Sequence, residues 1–154
     1  MKNHRLIDSE SLANSGTPKA LIEQQRIKML SPRRWYRGAF CVNTDKKLLN
    51  FSFIQKALPC TQDARVSDVR NVEIRVHNSL CFGLYRNDRQ IGFARIITDL
   101  ADIAVISDVF ITPEYRYIGL GSWLVDCCLA HPATHACSTV LCCLQVPQAN
   151  IDSH

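Results

Sequence analysis

Apolar positions recur along the chain with two periods, one helical and one of strands. After Pro18, the residues Leu21, Ile22, Ile27, Met29 and Leu30 trace a weak helical pattern. It ends at Ser31-Pro32, because the residue before a proline avoids helical backbone angles. Phe40-Cys41-Val42 reads as a short strand. Leu48, Phe51, Ile54 and Leu58 share one face of a helix expected over 47–58, capped by Thr44 or Asp45 and stopped by Pro59. A weaker helix is expected over 66–77, with Val69, Val72, Ile74 and Val76 as its apolar positions. The next segments, 80–86 and 90–97, are rich in strand formers, and Asn87-Asp88-Arg89 between them suits a hairpin turn. The run 103–111 is apolar except for Ser107 and Asp108, which predicts a strand buried on both faces. In the helix expected over 119–131, Leu120, Trp123, Leu124, Cys127 and Cys128 form one stripe, and Pro132 closes it. Residues 140–146 read as one more strand, with nothing structured expected after Pro147.

Length and composition fit one folded domain. The chain has 154 residues, 47% hydrophobic and 21% charged, ordinary values for a globular protein. No apolar run approaches the roughly 18 residues a spanning helix needs. The polar N-terminus lacks the features of a secretory signal, so a cytoplasmic, membrane-free protein is expected. The net charge of +4 is uneven. Residues 1–40 carry eight Lys/Arg against three Asp/Glu; residues 41–154 carry ten against eleven. The body therefore gives no electrostatic reason for a nucleic-acid partner. Arg33-Arg34-Trp35-Tyr36-Arg37 is the exception, a basic cluster with aromatics that could contact phosphates and stack on bases. Its plainer reading is an N-terminal arm, within a basic extension over 1–39, whose two aromatics pack on the domain.

Eight cysteines raise the question of disulfides or a metal. Cys41, Cys60 and Cys81 are isolated, Cys127-Cys128 and Cys142-Cys143 are adjacent, and no Cys-x-x-Cys occurs. No metal is expected from such spacing. Small buried apolar residues in a reducing compartment are the expectation.

The segment that carries chemistry is 108–124: a buried strand, a loop marked by Pro113, and a helix opened by Gly119 and Gly121. The first turn of a helix has N–H groups without partners and a positive dipole end. Glycines there admit a phosphate or pyrophosphate close to the main chain.

Together, Arg116-x-x-Gly119-x-Gly121 after an apolar strand, and the preceding hairpin with Phe82-Gly83 and Ile91-Gly92-Phe93-Ala94-Arg95, closely resemble the GNAT superfamily of N-acetyltransferases. The resemblance covers about residues 40–131, the expected core domain. It implies an α/β (α+β) fold, a mixed sheet flanked by helices, with acetyl-CoA as co-substrate. It implies that the main chain of Val109, Phe110 and Ile111 pairs with the pantetheine arm like an added strand. It implies that the amides of Tyr117, Ile118, Gly119, Leu120, Gly121 and Ser122 hold the pyrophosphate, with Arg116 at the loop entrance. The family often carries Gly or a basic residue where Tyr117 stands, and Arg or Lys where Ser122 stands. Phosphate attraction here rests more on the main chain.

The reaction implied is acetyl transfer to an amine, on a small molecule or a protein. An alkylamine is mostly protonated near neutral pH, so the site needs a base. Asp108, on the motif strand, is the first candidate; Glu114, past Pro113, is the second. Family members continue into a further strand, a helix bearing a tyrosine that protonates the leaving thiolate, and a final hairpin. Residues 132–154 contain no tyrosine, no Lys or Arg, and only one acidic residue, Asp152. A fold incomplete at its C-terminus, from a truncated or frame-shifted gene product, is the expectation. An incomplete sheet edge would invite a homodimer. Two other readings stay open: a catalytically inactive remnant, and a nucleic-acid or partner-binding module using residues 33–37.

Overall fold

The computed structural model describes residues 16–58 and 68–144. The chain divides into two units, Met1–Ser31 and Pro32–His154. In the first, helix α1 spans Pro18–Met29, with Thr17 as its N-cap and Pro18 in its first turn. Thr17 Oγ1 accepts a hydrogen bond from the Ala20 N–H, satisfying a donor the helix cannot.

The second unit is built on a six-stranded sheet in sequence order: β1 (Arg34–Arg37), β2 (Phe40–Asn43), β3 (Leu80–Arg86), β4 (Arg89–Thr98), β5 (Ile103–Ile111) and β6 (Thr139–Cys142). All neighbours are antiparallel except β5 and β6, which are parallel. Helices α2 (Phe51–Ala57) and α3 (Asp68–His77) lie between β2 and β3 in sequence. Leu49, Ile54, Leu58, Val72 and Val76 from this segment form a core with Cys81 and Phe93 of the sheet. Helix α4 (Leu120–Ala130) packs on β3, β4 and β5 through Leu120, Trp123, Leu124, Cys127 and Cys128, all buried. A short helix α5 (Pro132–His135) leads into β6.

Most elements lie where the periodicities put them. Three differences have physical causes. Residues 34–37 are an edge strand rather than an arm. Trp35 packs against Phe82 and His131 at ring-centroid distances of 6.0 and 6.2 Å, whereas Tyr36 is exposed. The expected extension over 1–39 thus gives up its last residues to the sheet. The helix expected over 47–58 is divided. Asp45 caps a 3-10 turn at Lys46–Leu48, Leu49 adopts extended angles, and Asn50 caps α2 afresh through the Phe53 N–H. Strand β5 is fully buried on one face only. Ala104, Ile106 and Asp108 are buried while Val105, Ser107 and Val109 are half-buried. The expected C-terminal strand is β6, and the rest of its expected range (145–146) lies outside the described residues, as do Pro59, Cys60 and the expected start of α3 at 66–67.

Three of the cysteines meet the expectation of burial: Cys81, Cys127 and Cys128. Cys142 and Cys143 do not; they are exposed free thiols at the end of β6. Burial pushes the Cys81 and Cys127 thiols up to about 11, which leaves them protonated and unreactive. Among the described residues no three His, Cys, Asp or Glu side chains could hold a metal ion, and no helix is long and apolar enough to cross a membrane.

Candidate functional site

The turn from β5 into α4 places the glycine motif at one end of the sheet. Thr112 leaves β5 and donates its N–H to Ile91 O at 2.8 Å. Pro113–Tyr115 forms a 3-10 turn. Tyr115 packs edge-on against Phe40, with centroids 6.0 Å apart, and its hydroxyl accepts from Arg86 Nη1 at 3.2 Å. This ties the loop to β2 and β3. Arg116 then turns back, its Nε donating to Ile111 O at 2.9 Å while its guanidinium lies 5.5 Å from the Phe110 ring centroid. The carbonyl of Ile111 is therefore already engaged by a side chain.

Tyr117 and Gly119 follow at φ +67° and +83°. Tyr117 is wholly exposed, and Ile118 largely so. A Cβ placed on Gly119 would meet nothing within 4 Å. Its glycine is required by backbone angle, because side chains disfavour positive φ. Trp123 supplies the first N–H bonded back along the helix, to Gly119 O at 3.1 Å. Among the described residues, the N–H groups of Tyr117, Ile118, Gly119, Leu120, Gly121 and Ser122 donate to no backbone carbonyl of the loop or cap. These donors lie at the positive end of an eleven-residue helix, with open space at Gly119. The donor run and the space at Gly119 fit a diphosphate.

The strand before the loop is open on one edge. β6 pairs with β5 only along Ile103–Ile106, and the last bond runs from the Cys143 N–H to Ile106 O at 2.8 Å. Beyond it, Ser107–Ile111 has no β6 partner among the described residues. The other edge is bulged there. Phe93 pairs with Phe110 and Arg95 with Ser107, so Ala94 faces both Asp108 and Val109. Asp108 takes φ +55° at this bulge.

The candidate bases have different surroundings. Asp108 is buried and its Oδ2 is bonded to Arg95 Nε. Arg95 Nη1 reaches Ser79 Oγ at 2.9 Å. Sequence reasoning assigned no role to Arg95 or Ser79; Arg95 is brought opposite Ser107 by the pairing of β4 with β5, and Ser79, just before β3, meets only Arg95. Glu114 is exposed and lies 3.9 Å from Arg89 Nη1. Asp108, Val109, Phe110 and Ile111 share the open strand segment, while Arg116 and residues 117–122 line the loop that follows. Glu114 sits on the outer side of that loop.

Comparison with known proteins identifies the family and the fold. Residues 46–154 match the model of the acetyltransferase (GNAT) family. A Gibberella zeae protein described as a candidate acetyltransferase is 29% identical over 120 residues, covering 65% of this chain and 68% of that one. A GNAT-family acetyltransferase from Xanthomonas campestris pv. campestris is 34% identical, with a TM-score of 0.61 over 69% of this chain and 75% of that one. A Staphylococcus aureus probable acetyltransferase, 19% identical over 69% of this chain and 80% of that one, shares the fold at a TM-score of 0.56. The chain belongs to the GNAT acetyltransferase family, a class of acyltransferases with acetyl-CoA as co-substrate.

Proposed function

We propose that this chain transfers the acetyl group of acetyl-CoA to an amine on a small molecule or a protein. The unpartnered amides of Tyr117–Ser122 take the diphosphate of the coenzyme. The open edge of β5 at Val109, Phe110 and Ile111 takes the amides of its pantetheine arm. Because Arg116 already occupies Ile111 O, Val109 and Phe110 carry most of that pairing. The neutral acceptor amine forms a C–N bond to the acetyl carbon, the C–S bond breaks, and the proton shed by the new amide nitrogen passes through solvent to the departing thiolate, giving CoA as the thiol. A main-chain N–H at the bulge stabilises the oxyanion between these events. Asp108 draws the proton from the incoming ammonium through a water. Glu114, exposed and ion-paired to Arg89, is the secondary candidate.

One observation carries this reading: six successive N–H groups without backbone acceptors at the start of α4. The basic cluster favours no nucleic-acid module, because Trp35 is used in packing and the Arg37 guanidinium lies 5.0 Å from the Trp123 ring centroid. The direct test is calorimetric titration with CoA, together with thiol release from acetyl-CoA in the presence of amines. A Gly119→Val variant, which forces a β-branched residue to positive φ at the cradle, is expected to weaken CoA binding about tenfold or more. Equal binding by Gly119→Val and wild type would show that the loop does not hold the coenzyme. Binding without thiol release would reduce the chain to a CoA-binding remnant.

A further inference from the structure

The feature left unexplained by this reading is the buried ion pair between β4 and β5. The side chains of Arg95 and Asp108 are 13% and 5% exposed, and Arg95 is also bonded to Ser79, just before β3. Burying two charges is costly unless the geometry repays it, and apolar residues would often serve stability as well. The location gives a reason for keeping them.

Side chains on opposite strands of a sheet share a face when directly paired. Phe93 belongs to the core under α2 and α3; Ala94 and Ile96, which alternate with it along β4, therefore face α4. Ile106, opposite Ile96, faces α4 as well. Strict alternation from Ile106 would put Phe110 on the α4 face and Ile111 on the α2 face. The observed contacts are the reverse. Phe110 meets Phe53 of α2 at 5.8 Å, and Ile111 lies 3.8 Å from the Cβ position of Gly121 in α4. The extra residue at Asp108–Val109 makes this switch. Asp108, at φ +55°, is the residue whose carboxylate is clamped.

We infer that Arg95 is a positioning residue: its clamp on Asp108 holds the β5 bulge and so sets which way Phe110, Ile111 and the loop after them face. Ser79 fixes the far side of the guanidinium. Through Ile111, which binds Arg116, the clamp also sets the entry of the glycine loop. The effect on coenzyme binding rests on the proposed function; the effect on the strand does not.

The test separates the two. In an Arg95→Met/Asp108→Asn variant both charges are removed together, and asparagine tolerates positive φ. Two readouts are taken: the nuclear Overhauser contact between the Phe53 and Phe110 rings, and the Kd for CoA. The folded variant is expected to lose the ring contact and to bind CoA roughly tenfold more weakly or worse, as a displaced binding strand would. A folded variant that keeps the ring contact overturns the inference. If wild-type protein binds no CoA, the coenzyme reading fails while the ring contact still decides the clamp. If the double variant does not fold, Ser79→Ala answers instead, because it deletes only the bond to Arg95. It is expected to speed amide exchange at Thr112, whose N–H is held by Ile91 O just past the bulge, by about fivefold, and an unchanged rate there overturns the inference.

Discussion

At the scale of single residues, His131 is where buried chemistry meets stability. Its ring is fully buried beside Trp35 and Phe82. Its Nδ1 accepts from the Ala133 N–H at 3.0 Å, and its Nε2 has no partner. Burial, and secondarily the Arg33 charge, lowers its pKa to about 4. Below the ordinary value of 6.5 the unfolded chain takes a proton that the native ring refuses until about pH 4. Stability is therefore complete above pH 6.5 and falls as pH drops toward 4, by at most about tenfold in the unfolding constant per pH unit. Urea midpoints across this window, compared with a His131→Gln variant, check the assignment. A fall of equal slope in the variant would assign the acid sensitivity to other groups. Nothing in the sequence announces this residue, since its burial depends on Trp35 arriving from a strand nearly a hundred positions earlier. The same limit hid Arg95 and Ser79. The meeting of Arg95 with Asp108 is a product of strand register and a bulge, and Ser79 joins it only through Arg95; none of this leaves a local pattern. Gly119 and Gly121, by contrast, were legible because the main-chain conformation they serve is local.

At the scale of elements, α2 shows how one cap decides a boundary. The apolar spacing of Leu48, Phe51, Ile54 and Leu58 suits a continuous helix, yet the chain extends at Leu49. Leu49 then reaches the core, and Asn50 restarts the helix. Asn50 Oδ1 accepts from the Phe53 N–H at 3.1 Å, while the Asn50 N–H is held by Gln90 Oε1 at 2.7 Å. Asn50→Ala is expected to cost about 1 kcal/mol in urea unfolding, with Asn50→Asp close to wild type. An unchanged midpoint for Asn50→Ala would mean that core packing alone sets this boundary. Strands β3, β4 and β5 and the apolar stripe of α4 were legible because each has an uninterrupted period. β1 was not, because its four residues alternate a packed Trp35 with exposed charges and so look like a basic cluster. α5 is too short to show a period.

At the scale of the whole molecule, the sheet provides an open strand edge, and the loop into α4 provides a run of free donors beside it. These two features come from adjacent stretches of sequence, Ile103–Ile111 and 116–122, so they are built together. The measurement that tests the central claim most directly is a backbone amide spectrum of the labelled protein titrated with CoA. The account predicts the largest shifts at the amides of Tyr117–Ser122, with a second group at Val109 and Phe110. Saturable binding that leaves the 117–122 amides unmoved would contradict it.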